Sequence, residues 1–208
     1  MADYNTIKDT VSKFLRQVSG DTATTLIPEF IDLAERSVYR RLRIPPMENI
    51  TDLSTDATDG FITLPSDFLE LKSLVLIDAA NGNTEMKGRP YGEIEASTRS
   101  GTPIYYARKD NQIIFDPGPD AVKTMRMYYY REFSSLTSAS PDNFISNSAP
   151  DVLIYGALVE AAPYLVAELG QENTTIMLRM WKKQFEEAIK ELEFQTSREW
   201  EGTRLAEQ

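Results

Sequence analysis

Two prolines bracket a glycine in Asp116-Pro117-Gly118-Pro119-Asp120, and no regular element runs through such a segment. Each proline fixes its φ and lacks an N–H, and the glycine tolerates φ > 0. The breaker lies inside Gly101–Phe133, whose segments 104–107, 112–115 and 125–130 are rich in β-branched and aromatic residues. The block reads as three short antiparallel strands, with Lys109-Asp110-Asn111 as the first turn and the proline segment as the second. Helical periodicity lies on both sides, so this chain has to carry a sheet between helices.

On the N-terminal side, Ile7, Val11, Phe14, Leu15 and Val18 form one apolar stripe and predict a helix over 5–19, with Asn5 as cap and Gly20 as its end. A second helix is predicted from about Leu26 to Arg43, with Pro28 in the first turn and Ile27, Phe30, Ile31, Ala34, Val38 and Leu42 facing inward. Arg36, Arg40, Arg41 and Arg43 crowd its last turns. They complement the helix dipole as a solvated basic end, or they offer a face to an acidic partner subunit or to DNA. Pro45-Pro46 stops the helix.

Residues 47–60 read as a polar connector. Phe61–Leu64 and Leu71–Ile77 are predicted strands, Asn81-Gly82 is the strongest hairpin signal, and 84–87 returns as a partner strand. Segment 61–133 is thus expected to be a small antiparallel β unit of five or six strands. Ser134–Pro150 reads as a linker. The third long helix, 152–169, has almost no polar face and is expected to be buried all round, with a kink at Pro163 and an end at Gly170. Its one central charge, Glu160, reads as a satisfied interface carboxylate or, less simply, as a catalytic acid. Leu178, Trp181, Phe185, Ala188 and Leu192 set an a/d seam on a last helix over 175–195.

These elements give an α+β class: a bundle of about four helices with an inserted small antiparallel β unit. The boundaries are an N-terminal helical pair at 1–46, the β unit at 61–133, a C-terminal helical pair at 150–195 that completes the bundle, and a polar tail at 196–208.

The chain has neither cysteine nor histidine. That excludes disulfides, Cys- or His-ligated metal, haem ligation through either residue, cysteine nucleophiles and Ser-His-Asp triads. Carboxylate chemistry stays open: a Mg²⁺ or Ca²⁺ site, or a carboxylate pair. The acids of 116–120 read as turn formers, and no phosphate-binding or dinucleotide motif is present. No metal, cofactor or catalytic residue is expected. No apolar run reaches the roughly 20 residues of a membrane span, so no membrane partner is expected. The N-terminus has no signal-peptide pattern, which predicts assembly in a cytoplasm. A net charge of −10 argues against gripping nucleic acid through its phosphates. The charge is uneven: net +1 over 1–45, −6 over 46–149 and −5 over 150–208.

The helix 26–43 ending in RRLRIPP, the element FITLPSDFLELKSLVL, the block GTPIYYARKDNQIIFDPGPD, then MRMYYYREFSSLT and APDVLIYGALVEAAPYL together cover most of the chain. In that order they resemble the head-to-tail adaptor (connector) proteins of tailed bacteriophages, including the tubular tail protein A type. The resemblance implies a virion structural protein of the neck. Such proteins form a ring, commonly of twelve subunits, that joins the portal protein to the tail or nozzle protein. Double-stranded DNA passes through the channel without specific binding. The C-terminal segment reaches the portal in that family, which nominates Arg198, Trp200, Arg204 and Leu205 as portal contacts here. Arg36, Arg40, Arg41, Tyr105, Tyr128 and Tyr130 are nominated for the subunit or tail interface. Trp200 packing back on the bundle and the tyrosines serving only as cross-strand packing are the plainer readings of the same residues. Three other functions remain: another neck or tail-completion protein, a small carboxylate-based hydrolase with Glu160 as its acid, and a host-derived interaction module whose sheet binds a protein or sugar.

Overall fold

The structure is a computed structural model that describes residues 2–19, 24–56, 60–95 and 97–206; side chains at 17–19, 24, 167, 168, 199 and 201–206 are outside that description. The chain divides into two compact units, Met1–Pro46 with Phe133–Gln208, and Met47–Glu132.

The first unit is helical. Helix α1 (Tyr4–Ser19) starts at Asp3, whose carboxylate accepts the Thr6 N–H at 2.7 Å, so Asp3 and not Asn5 serves the first turn. Ile7, Val11 and Leu15 are fully buried. The expected contribution of Val18 and the end at Gly20 lie outside the described residues. Helix α2 (Ile27–Tyr39) has proline in its first turn and buries every member of its predicted stripe. Each of its larger side chains, Ala34 excepted, contributes about 1.5–3 kcal/mol when withdrawn from water.

The short α4 (Phe144–Ser148) is fixed by a capping box in which Asn143 and Ser146 bond each other's backbone. Helix α5 (Pro150–Ala161) follows at once. Pro163 has no N–H to offer to the carbonyl of Val159, and the helix tightens there into a 3-10 turn, Ala162–Leu165. Helix α6 (Val166–Ala206) is broken at Gly170, whose φ of 77° suits glycine alone. The seam on α6 is real: Trp181, Phe185, Ala188 and Leu192 are buried, and Ile189 and Thr196 with them. The helix does not stop at 195 but continues to Ala206.

At the centre of this unit α5 crosses α2 and α6 at Gly156. A Cβ there would stand 2.9 Å from the Ala34 Cβ and 3.1 Å from Phe185 Cε2. Glycine is what lets three helices meet at that distance.

Among the described residues, the second unit holds ten strands in three sheets, numbered here in chain order, and one short helix, α3 (Tyr91–Glu95). The first sheet has the order β1-β10-β3-β4, with β1 (Glu48–Ser54), β10 (Thr124–Arg131), β3 (Phe68–Ile77) and β4 (Thr84–Glu85), all antiparallel. The second has the order β2-β8-β7-β5, with β2 (Ile62–Thr63), β8 (Gln112–Asp116), β7 (Tyr105–Lys109) and β5 (Lys87–Gly88), the last pair parallel. The strands β6 (Ser100–Gly101) and β9 (Gly118–Pro119) form a small parallel bridge. Leu74, Leu76, Met125, Met127 and Tyr129 of the first sheet share one buried cluster with Ile62, Ile113 and Phe115 of the second.

The expected bundle of four helices with a small inserted β unit is corrected by these observations. Among the described residues there are six α-helices and ten strands in three sheets, and the β-bearing unit begins at Met47. Two expectations fail for identifiable reasons. The connector 47–60 contains β1, whose half-buried positions after Glu48 are Asn49, Thr51 and Leu53, while Ile50 points out; its apolar alternation is therefore weak. The three-strand meander of 101–133 is a two-strand hairpin, β7–β8, followed by a departure. The proline segment does not turn the chain back on β8 but carries it, through the β6–β9 bridge, to pair β10 with β1 and β3.

Candidate interaction surfaces

In an antiparallel pair, directly opposed residues share a face. The register therefore places Ile50, Tyr128 and Ser73 in one row on the outer face of the first sheet, with Asp52, Arg126 and Val75 in the next and Glu48, Tyr130 and Glu70 in a third. Tyr128 and Tyr130 are half-buried there. The Lys72 ammonium lies 5.3 Å from the Tyr130 ring centre and 2.5 Å from Glu48. Arg126 binds Asp52 through Nε and Nη2 at 2.8 and 2.9 Å. That pair draws the Asp52 carboxyl below its ordinary range and raises the guanidinium. Tyr129, between the two tyrosines, turns inward. Its hydroxyl accepts from Asn49 Nδ2 at 2.9 Å and donates to Asp67 Oδ1 at 3.0 Å, and burial pushes it up.

Tyr105 belongs to the second sheet and is not brought to this face. The Arg89 guanidinium stacks on its ring at 3.6 Å. Nearby in sequence, Asp116 is buried at the end of β8 and receives the Ser97 hydroxyl and the Arg99 guanidinium. The Ser97 hydrogen bond, then Arg99, hold its carboxyl below the ordinary aspartate range despite burial. The expected role of Asp116 as a turn former is thus replaced by that of a buried anchor between β8 and the chain at 97–99.

The nominated arginines lie in the helical unit. Arg36 is exposed and pairs with Asp32 at 3.0 Å; Arg40 is the exposed C-cap of α2. Arg41 lies over the Phe185 ring at 5.8 Å, and Arg43 donates to the carbonyls of Tyr39 and Leu42 at 2.7 Å each. Arg198 and Trp200 are both on α6, and Arg198 covers the exposed Phe194 ring at 5.5 Å. The side chains of Arg204 and Leu205 are outside the described part. Glu160 is half-buried on α5, with no hydrogen bond or ion pair among the described residues.

Sequence reasoning missed Glu35. It is 2 % exposed, and its carboxylate accepts from Leu136 N at 3.1 Å and Asn143 Nδ2 at 2.9 Å. Asn143 also donates to the Ser134 carbonyl, so one carboxylate on α2 secures the chain re-entering the helical unit. A glutamate beside a helix stripe reads as solvated; nothing local marks it.

Among the described residues, both units carry cations beside aromatic rings and carboxylate–guanidinium pairs. The chain belongs to the SU10 adaptor protein family, whose model matches residues 2–207. It is accordingly a structural protein of the phage head–tail connection. No curated protein matches it.

Proposed function

We propose that this chain assembles into a ring, of twelve copies in the form its resemblance suggests, between the portal of a filled capsid and the tail, and that the genome leaves through its channel. The observation that carries the reading is the family match over nearly the whole chain. Three features support it. Copies of net charge −10 give a strongly negative assembly, in which DNA slides rather than adheres. Helix α6 is long, about 50 Å after Gly170 at 1.5 Å per residue, and carries Arg198 and Trp200 near its end. Small residues on α5 permit the close helix approach seen at Gly156.

In this reading Arg198, Trp200, Arg204 and Leu205 meet the portal protein. Arg36, Arg40, Arg41, Tyr105, Tyr128 and Tyr130 serve neighbouring subunits or the tail protein. The protein acts without catalysis or cofactor, in the neck of a virion assembled in the host cytoplasm. Removing the residues after Thr196 tests the portal assignment. The truncated chain keeps its fold by circular dichroism and fails to sediment with portal rings; sedimentation equal to that of the full chain refutes the assignment.

A further inference from the structure

The first sheet ends in an open strand. Among the described residues strand β1 has one neighbour, β10, and pairs with it over seven residues without a register shift, whereas β10 and β3 are out of step twice. Thr55 N donates to the Lys123 carbonyl at 2.8 Å, which extends that ladder by one residue and fixes its phase. Because antiparallel ladders alternate, the backbone groups of Asn49, Thr51 and Leu53 turn toward β10, and those of Glu48, Ile50, Asp52 and Ser54 turn outward. Among the described residues, no backbone group of Glu48–Ser54 bonds another backbone group outside the ladder. The other edge strands, β4, β2 and β5, are two residues each.

Proteins blunt their edges with short strands, lysine, proline or bulges. Strand β1 is seven residues long and has no lysine, proline or bulge; its charges are two carboxylates, Glu48 and Asp52. If two copies paired antiparallel about Ile50, Glu48 would stand opposite Asp52, and like charges directly opposed destabilise a sheet. In that register the strand is guarded against its own copy, whereas a chain of opposite charge meets no such repulsion. The side chain of Ile50 is 58 % exposed, that of Asp52 keeps 45 % of its surface despite Arg126, and that of Glu48 keeps 29 % beside Lys72.

We propose that Glu48–Ser54 is a strand-addition site for an extended segment of a different protein, carrying basic residues at alternate positions on either side of an apolar one. The cations face Glu48 and Asp52, the apolar side chain lies against Ile50, and the backbone of Ile50 and Asp52 supplies hydrogen bonds. This chain holds the pattern twice, at Arg36-Val38-Arg40 and Arg179-Trp181-Lys183. Both lie on helices or their caps with the apolar member buried, so the occupant is another protein.

The test is an amide NMR titration of the full chain with the end-blocked peptide TKTVTKT, and with TETVTET as its charge-reversed control. TKTVTKT gives saturable shifts confined to β1 and its surroundings, and slows exchange at the Ile50 and Asp52 amides but not at Asn49, Thr51 or Leu53. Two cross-strand charge pairs make it bind about fivefold more tightly than TETVTET. Ile50→Pro removes an outward N–H that the β10 ladder does not use, and abolishes the effect while the remaining sheet amides keep their shifts. Should that variant unfold the sheet, Asp52→Lys serves in its place and shrinks or reverses the preference between peptides. Equal binding of the two peptides, shifts elsewhere, or an unchanged preference in Asp52→Lys overturns the proposal. So does concentration-dependent protection of Ile50 and Asp52 without peptide, which would make a second copy the occupant. The titration contains neither ring nor portal, so its outcome is independent of the adaptor assignment.

Discussion

Glu35→Ala removes a carboxylate acceptor that α2 extends to the re-entering chain. Two buried donors, Leu136 N–H and Asn143 Nδ2, lose their carboxylate partner. Each unsatisfied buried donor costs about 1–3 kcal/mol, and the removed side chain leaves a gap beneath it. Relief from burying a charge works the other way. The net expectation is a loss of about 3 kcal/mol, a large share of the 5–15 kcal/mol that holds a typical domain. Glu35→Gln keeps the shape and one acceptor and loses about half as much. Urea denaturation of both variants, read at the midpoint with the slope held equal, measures the difference. Amide exchange at Leu136 localises it: that amide is released in Glu35→Ala even where global unfolding is rare. The pair Glu35→Ala with Asn143→Ala should be strongly non-additive, because both remove the same bond. A loss below about 0.5 kcal/mol in Glu35→Ala, the range of ordinary surface substitutions, refutes the claim that this carboxylate secures the linker.

Three further outcomes are expected. Asp116 is lowered in the folded state, so its contribution is complete above the unfolded aspartate value near pH 4 and is lost as pH falls through its lower folded value; Asp116→Asn costs about 1–2 kcal/mol at pH 7 and flattens the acid limb of the stability curve. Gly156→Ala gains about 1 kcal/mol of helix propensity but forces the Ala34 and Phe185 contacts apart at a cost of about 1–3 kcal/mol, so the melting temperature falls, and Ala34→Gly in the same chain restores part of it. Tyr129→Phe leaves Asn49 and Asp67 without their shared hydroxyl and lowers stability by about 1 kcal/mol in chemical denaturation.

The helices were largely legible because burial on one face repeats at the helical period. Ile27, Phe30, Ile31, Ala34, Val38 and Leu42 all went where the spacing sends them, and so did the seam from Trp181 to Leu192. Strand texture was legible too, but strand partnership was not. The proline segment declares that the chain breaks; whether it returns to β8 or crosses to β1 and β3 depends on partners 47–82 positions from β10. Strand β1 escaped because its half-buried side holds Asn49 and Thr51. The anchors Glu35 and Asp116 escaped for a related reason: a carboxylate shows its burial only through partners distant in sequence. Of the nominated surface residues, Tyr128 and Tyr130 share a face that period-two alternation already implied, while Tyr105 sits on the other sheet.

The central claim is that this family member works as a ring on a portal. Mixing the purified chain with portal oligomers and weighing the complex by native mass spectrometry tests it most directly. The account predicts a closed complex carrying a fixed whole number of chains, twelve in the proposed ring, with no partly filled species dominating. A chain that stays monomeric and leaves the portal mass unchanged contradicts it.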